Sequence, residues 1–424
     1  MRGGAVLVGG VLTGNVLGFV RVALTAYLLG THSLADSLAV AMGPLDTLNS
    51  VIVNGILFAF VPMLTARAAA ERTALFLKLS RCFTWALAAF SAAVILAAPW
   101  LMRALAPGID PRYFPAAVLN LRIMMFSTLP AGVAAVHFAE LYTDRRFAPA
   151  AFYQALLNIG TVGGALLLWK PLGVYAFALG YAAGAWAQLG IAWFAVRSRM
   201  RGTAAPCPES WREILAKPGF YGFYAVGVGL NLIFTRAWAT HTGPGMAAAL
   251  DYCMRGVSVP LALLVTPIAN SLLPEIARLR SAARVSDALR LIDRTVGLTA
   301  MAGLAGCVLG MAFRHPVIAL LFQRGSFTSQ STVLVSAVFL GLCPSLIGWS
   351  LVEVVSRSMF AMEHPWPPAI AAFLPLLLNV AITVKFHITS PEWLGLGATI
   401  GFLAGAAALF LMAHISRQRW SSGL

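Results

Sequence analysis

Apolar stretches, each about as long as an α-helix needs to cross a bilayer, follow one another from residue 5 to residue 415 with only short polar breaks. A hydrocarbon layer of about 30 Å takes about 20 residues at about 1.5 Å each, and its backbone groups must be paired internally. That leaves helices or closed barrels. The runs lack the two-residue alternation of barrel strands, so the fold class read here is an all-α polytopic membrane protein. Composition agrees: 59% of the 424 residues are hydrophobic and 11% charged. The mean hydropathy of +0.81 is more than a soluble domain of this size can bury.

Twelve spans are expected, over 5–29, 35–63, 82–102, 116–142, 148–169, 172–196, 219–239, 246–273, 295–313, 331–356, 366–386 and 394–415. Basic residues divide unevenly between alternate loops. One set holds twenty, among them Arg67, Arg72, Lys78 and Arg81 after the second span and Arg278, Arg280 and Arg284 after the eighth. The other holds six: Arg103, Arg112, Lys170, Arg314, Arg324 and Lys385. The positive-inside rule then puts both termini in the cytoplasm. This bias supplies most of the net charge of +15, which reads as anchoring to anionic lipid and not as nucleic-acid binding. The five cysteines show no paired spacing, so neither a disulfide framework nor a metal site is expected. The first apolar run is read as a retained span because no cleavage site precedes the second.

The second half repeats the first in order. Phe60-Val61-Pro62 leads into Ala66-Arg67 and on to Arg81, and Leu272-Leu273-Pro274 leads into Ala277-Arg278 and on to Arg294. Proline and final arginine lie 19 positions apart in one copy and 20 in the other. The expected organisation is a six-helix bundle over 1–200, a cytoplasmic linker over 201–217 and a second six-helix bundle over 218–424, in a parallel internal repeat.

Charges inside spans cost about 2.5 to 3.5 kcal/mol each at the centre, so those present are candidates for function. They are Arg21, Asp36, Asp46, Arg122, Glu140, Arg236, Asp251, Arg255 and Glu353. Arg21 and Arg255 lie at similar depths in non-equivalent spans, which suggests a cationic cavity suited to a phosphate-bearing ligand. The alternative is internal pairing, Arg21 with Asp36 or Arg255 with Asp251 one helical turn away. For Arg122, Glu140 and Glu353 a snorkelling or helix-end role competes equally. Gly43-Pro44 is expected to break the second span, and Pro260 with Pro267 the eighth. Glycine pairs read as close helix packing.

Leu17-Gly18-Phe19-Val20-Arg21, Gly30, Ala35-Asp36, Gly55 and Ala59-Phe60-Val61-Pro62 together resemble the N-terminal signature of the MurJ/MviN family of lipid II flippases. Tyr252-Cys253-Met254-Arg255, Leu272-Leu273-Pro274 and Leu321-Phe322-Gln323-Arg324-Gly325-Ser326-Phe327-Thr328 resemble its second-half motifs, so the likeness covers most of the chain. The family belongs to the multidrug/oligosaccharidyl-lipid/polysaccharide exporter superfamily, and the resemblance implies two six-helix bundles working by alternating access. It makes Arg21 and Arg255 cavity arginines for a pyrophosphate or sugar-peptide headgroup, with Asp36 an acidic partner. Asn49 stands at the substrate-binding position where the family usually carries arginine. Asn15, Val22, Leu45-Asp46 and Met254 also depart from the family pattern, leaving fewer cavity cations, and the family's usual two further spans are not seen after the twelfth.

The expected activity is transport without catalysis: a flippase in a bacterial inner membrane that carries a polyprenyl-pyrophosphate-linked saccharide, lipid II for peptidoglycan synthesis, to the periplasmic leaflet. No Walker-type loop occurs, so no cofactor is expected; an ion gradient, membrane potential or substrate consumption is left to drive transport, with Asp46, Asp251 and Asn379 as candidate groups for coupling to a monovalent cation or proton. The expected partners are the lipid-linked anionic saccharide, membrane lipid and enzymes of cell-wall or polysaccharide synthesis. Alternatives are a flippase for another lipid-linked polysaccharide precursor, a drug or cation antiporter of the same superfamily, and a non-transporting scaffold. An antiporter calls for acids, not arginines, at the cavity centre, and the scattered histidines form no enzyme constellation.

Overall fold

The computed structural model describes residues 2–201, 219–261, 265–282, 284–362 and 364–421, and every regular element among them is helical. Cys207, Arg212, Lys217 and most of the expected linker lie outside the described residues. In chain order the helices begin with α1 (Arg2–Leu29), α2 (Ser33–Thr65), α3 (Ala69–Leu105), α4 (Phe114–Met125), α5 (Thr128–Thr143), α6 (Ala148–Ala151), α7 (Tyr153–Leu172) and α8 (Tyr175–Val196). They continue with α9 (Gly219–Thr242), α10 (Met246–Pro260), α11 (Thr266–Ser281), α12 (Val285–Ala312), α13 (Arg314–Phe322) and α14 (Ser329–Leu342). The last four are α15 (Ser345–Ala361), α16 (Trp366–Ala371), α17 (Leu374–Lys385) and α18 (Leu396–Ser421).

Among the described residues nine helical segments are long and apolar enough to cross a membrane, and the pair α14 and α15, bent by 48°, makes a tenth. The two remaining expected spans fall on α9 and on α10 with α11, which carry Asn231, Thr235, Arg236, Asp251 and Arg255. Polar residues in such positions dilute apolarity in a helix that keeps them away from lipid. The outward faces elsewhere are apolar: Trp85, Leu96, Leu167 and Leu320 are 77%, 73%, 81% and 70% exposed. Patches of that kind are tolerable when the surrounding solvent is hydrocarbon.

Two compact units divide the chain, Met1–Thr25 with His32–Gly222, and Ala26–Thr31 with Phe223–Leu424. Six residues at the end of α1 and in the turn after it thus belong to the second unit.

In the first unit α5 is enclosed on nearly every side, from Thr128 to Leu141. Ala131, Ala134, Ala135 and Ala139 let neighbours approach it closely, and Phe60, Phe76 and Phe138 fill the core around them. The α7 and α8 pair packs through glycine: a Cβ on Gly160 would stand 2.5 Å from the Gly180 carbonyl oxygen, and one on Gly184 would stand 2.7 Å from that of Leu156. These are two facing small-xxx-small patterns, Gly160/Gly164 and Gly180/Gly184, which let the helix backbones touch. Asn158 of α7 donates to the Gly14 carbonyl of α1 at 3.0 Å.

The second unit has its own core, where Tyr224, Val352, Val355, Met359 and Leu409 meet. There α18 packs closely on α15 and α17, since a Cβ on Gly348 would stand 2.6 Å from the Leu403 nitrogen and one on Gly401 would stand 2.5 Å from the Pro375 oxygen. Trp349 stacks on Phe402 at 5.3 Å.

Of the two expected interruptions, one is not observed and the other falls on residues that are not all described. At the latter, α10 ends at Pro260 and α11 begins at Thr266, and residues 262–264 between them lie outside the described residues. Gly43-Pro44, by contrast, does not break α2, which runs through Pro44 to Thr65. Proline removes one intrahelical hydrogen bond, and the long apolar flanks on either side keep the helix in register across that loss.

Candidate functional site

Of the sequence-expected groups, Arg21, Asp36, Asp46 and Asn49 belong to the first unit, and Arg255, Asp251 and Asn379 to the second. Three of the first four join one hydrogen-bonded chain. The Arg21 side chain is 7% exposed, and its Nη2 donates to Asp46 Oδ2 at 3.1 Å. Asp46 Oδ1 accepts from the Tyr181 hydroxyl at 3.0 Å. That hydroxyl accepts from Asn49 Nδ2 at 3.0 Å, and Asn49 also reaches Ser127 Oγ at 3.5 Å. Asp46 and Asn49 are three residues apart on α2 and so share a face, which is how one tyrosine on α8 serves both. Ser127 sits at the break between α4 and α5 and donates to the Met124 carbonyl at 2.6 Å. Tyr181 and Asn49 are 1% and 5% exposed, whereas the Asp46 side chain is 39% exposed. The chain therefore ends in a charged pair, and the acid is the more accessible member. Asp36 is buried in the first turn of α2, where the helix dipole favours a carboxylate.

In the second unit Asp251 accepts both Nε and Nη2 of Arg236, at 3.1 and 2.8 Å. The pairing of Asp251 with Arg255 entertained from their spacing is corrected. Two guanidinium nitrogens of Arg236 on α9 converge on one Asp251 oxygen, a charge-assisted pair made between helices. Arg255 is half-buried on α10. Asn379 lies in a neutral network in which its Nδ2 donates to Asn231 Oδ1 and Thr235 Oγ1, both at 2.8 Å. Thr383 Oγ1 donates to Asn379 Oδ1 at 3.0 Å. Gly397 makes room for it, since a Cβ there would stand 2.3 Å from Asn379 Oδ1.

The Leu321–Thr328 motif builds a receptor for the end of α1. Ser326 N–H donates to the Tyr27 carbonyl at 2.8 Å, the Tyr252 hydroxyl donates to the Gly30 carbonyl at 2.7 Å, and Thr31 Oγ1 meets Ser331 Oγ at 2.8 Å. Tyr252, Phe322 and Phe327 form an aromatic triangle beneath, with centroids 5.7 to 5.8 Å apart. Gly30 has φ +57°, and a Cβ there would stand 2.3 Å from the Ser326 oxygen. Only glycine suits a left-handed turn so close to another backbone.

Three other intramembrane charges have partners within their own unit. Arg122 Nε donates to the Ile95 carbonyl at 3.2 Å. Pro99, four residues on in α3, has no N–H to give that carbonyl. Glu140, fully buried, pairs with Arg72 and Arg199, and Asp144 pairs with the same two arginines. Glu353 pairs with Arg357 one turn along α15.

Sequence reasoning did not reach Tyr181, Ser127, Asn231, Thr235 or Thr383. Tyrosine and threonine at helical spacing within apolar runs look like core, and only the partner's position on another helix distinguishes them.

A family model described as lipid II flippase MurJ matches residues 25–422. A probable lipid II flippase MurJ from Rhizobium meliloti (strain 1021) is 29% identical over 441 residues, covering 97% of this chain and 80% of the relative. A lipid II flippase MurJ from Burkholderia cenocepacia is 25% identical over 425 residues, covering 94% of this chain and 81% of the relative. A solved lipid II flippase MurJ in an inward closed conformation is similar at a TM-score of 0.85 and 18% identity, over 96% of this chain and 87% of that one. An inward-facing multidrug resistance transporter of the MATE family in the MOP superfamily is similar at 0.83 and 14% identity, over 96% of both chains.

Proposed function

Because this chain belongs to the lipid II flippase MurJ family, we propose that it moves a polyprenyl-pyrophosphate-linked saccharide, lipid II for peptidoglycan synthesis, from the cytoplasmic to the periplasmic leaflet of the bacterial inner membrane. The observation that carries the reading is Arg21, a guanidinium 7% exposed within a membrane span yet paired with an acid that stands 39% exposed. A permanently charged, bidentate donor kept at such cost suits a diphosphate better than a cationic drug does. Arg255 is offered as a substrate-binding cation of the second unit, and Asp36 and Asn49 as substrate-binding groups of the first. The likeness to multidrug transporters is one of fold and adds nothing on cargo.

On this reading the twenty basic residues in one set of loops face the cytoplasm, and both termini with them. The two bundles form a parallel repeat whose rocking exposes the substrate to each side in turn. A proton or monovalent cation drives the cycle. Asp46, Asp251 and the oxygen-rich surroundings of Asn379 are the groups offered for it. Peptidoglycan-synthesis enzymes supply and consume the cargo.

The test is rescue of a bacterium depleted of its own lipid II flippase. Wild type should restore growth, while Arg21→Ala and Arg255→Ala, expressed to the same level in the membrane, should not. No rescue by well-expressed wild type would favour a different lipid-linked glycan. The specific observation behind that second reading is that Arg21 already has its charge met by Asp46.

A further inference from the structure

We propose that Asp46 is a built-in anion for Arg21, one that the diphosphate of the substrate must displace, and that Tyr181 is the positioning residue that holds it there. The proposal rests on the function proposed above and adds a determinant of affinity and release.

The geometry is a shared carboxylate. One oxygen of Asp46 takes the Arg21 guanidinium at 3.1 Å and the other takes the Tyr181 hydroxyl at 3.0 Å. Tyr181 cannot turn away to water, being 1% exposed, and its oxygen is held from behind by Asn49 at 3.0 Å. The carboxylate is thus fixed by a buried hydroxyl on one side and engages the arginine on the other. Its side chain is 39% exposed against 7% for Arg21, so an anion arriving from the accessible side meets the acid before the cation. A phosphate oxygen and a carboxylate oxygen compete for the same guanidinium donors. The apparent affinity for the substrate then falls by the fraction of time that Asp46 holds Arg21, and the same competition hastens release. An acid placed here trades tight binding for turnover, and it selects against weakly charged headgroups that cannot displace it.

Asp46→Asn keeps the shape and the acceptor for Tyr181 but removes the charge. With purified protein in detergent and farnesyl diphosphate as the probe, Asp46→Asn should bind about tenfold more tightly, a gain of about 1.4 kcal/mol. Tyr181→Phe should tighten binding by a few-fold, because the carboxylate remains but is less firmly held. In liposomes, Asp46→Asn should lower the half-saturating substrate concentration and the maximal flipping rate together, a split that loss of packing does not produce. Adding Asp46→Asn to Arg21→Ala should give no gain.

Equal or weaker binding by both a folded Asp46→Asn and a folded Tyr181→Phe overturns the proposal. Should Asp46→Asn fail to fold, Tyr181→Phe decides alone. If Arg21→Ala leaves binding of farnesyl diphosphate unchanged, the function proposed for Arg21 fails. If Arg21→Ala abolishes binding while neither variant tightens it, only the role of Asp46 falls.

Discussion

Arg122 illustrates how a single intramembrane charge can be explained without function. Its Nε reaches the Ile95 carbonyl, 27 positions away in sequence, which Pro99 has deprived of its helical donor. Leaving a buried acceptor unpaired costs about 1–3 kcal/mol. Arg122→Met should therefore lower the unfolding midpoint in detergent, and the loss should shrink when Pro99→Ala restores a peptide N–H four residues from Ile95. A thermal-melt series on the four variants checks this coupling. At this scale the sequence identified which side chains were unusual and seldom which partner each would take. Arg21, Asp46 and Asn49 could be singled out because charge and amide groups are costly in lipid, but Tyr181, the residue that joins two of them, is indistinguishable in sequence from an apolar filler. The partner of Asp251 is hidden for the same reason. Spacing names neighbours on the same helix, whereas Arg236 comes from another.

Helices were easier to read than their contacts. Long apolar runs locate α1, α2 and α8 within a few residues, since lipid admits few other solutions, but α3 begins at Ala69, well before the expected start at 82, and the fourth and fifth expected spans are each divided into two helices. Pro44 does not break α2 because a proline can be absorbed in a helix of 33 residues, and the break expected near Pro260 adjoins residues 262–264, which lie outside the described residues. Glycine counts gave the likelihood of tight packing but not its sites. The α7 and α8 interface now supplies a sharp contrast. A Cβ on Gly180 would stand 2.3 Å from the Gly160 oxygen, whereas one on Gly163 meets nothing within 4 Å. Gly180→Ala should cost about 1–3 kcal/mol through forced separation of the two helices. Gly163→Ala should be neutral or stabilising by up to about 1 kcal/mol from its better helix propensity. Unfolding midpoints of the two variants, measured side by side, test the assignment of Gly180 to the contact and Gly163 to the open face.

Two units built from one continuous chain need not be divided where the linker is. Composition placed the boundary near residue 200, because polar residues interrupt the apolar pattern there. Nothing in that pattern hints that Ala26–Thr31 cluster with residues beyond 222. Only the tertiary bonds disclose it: Tyr27 to Ser326, Gly30 to Tyr252, and Thr31 to Ser331. The first half thus lends a six-residue plug to a socket in the second, much as a donated segment completes a neighbouring subunit. A chain severed between residues 202 and 218 should hold together as a two-piece protein, with the pieces co-purifying from the membrane after co-expression. Gly30→Val, which fouls the plug, should weaken that recovery far more than it affects the amount of either piece. The C-terminal piece made alone should be short-lived, because its socket is left unfilled until the other half arrives.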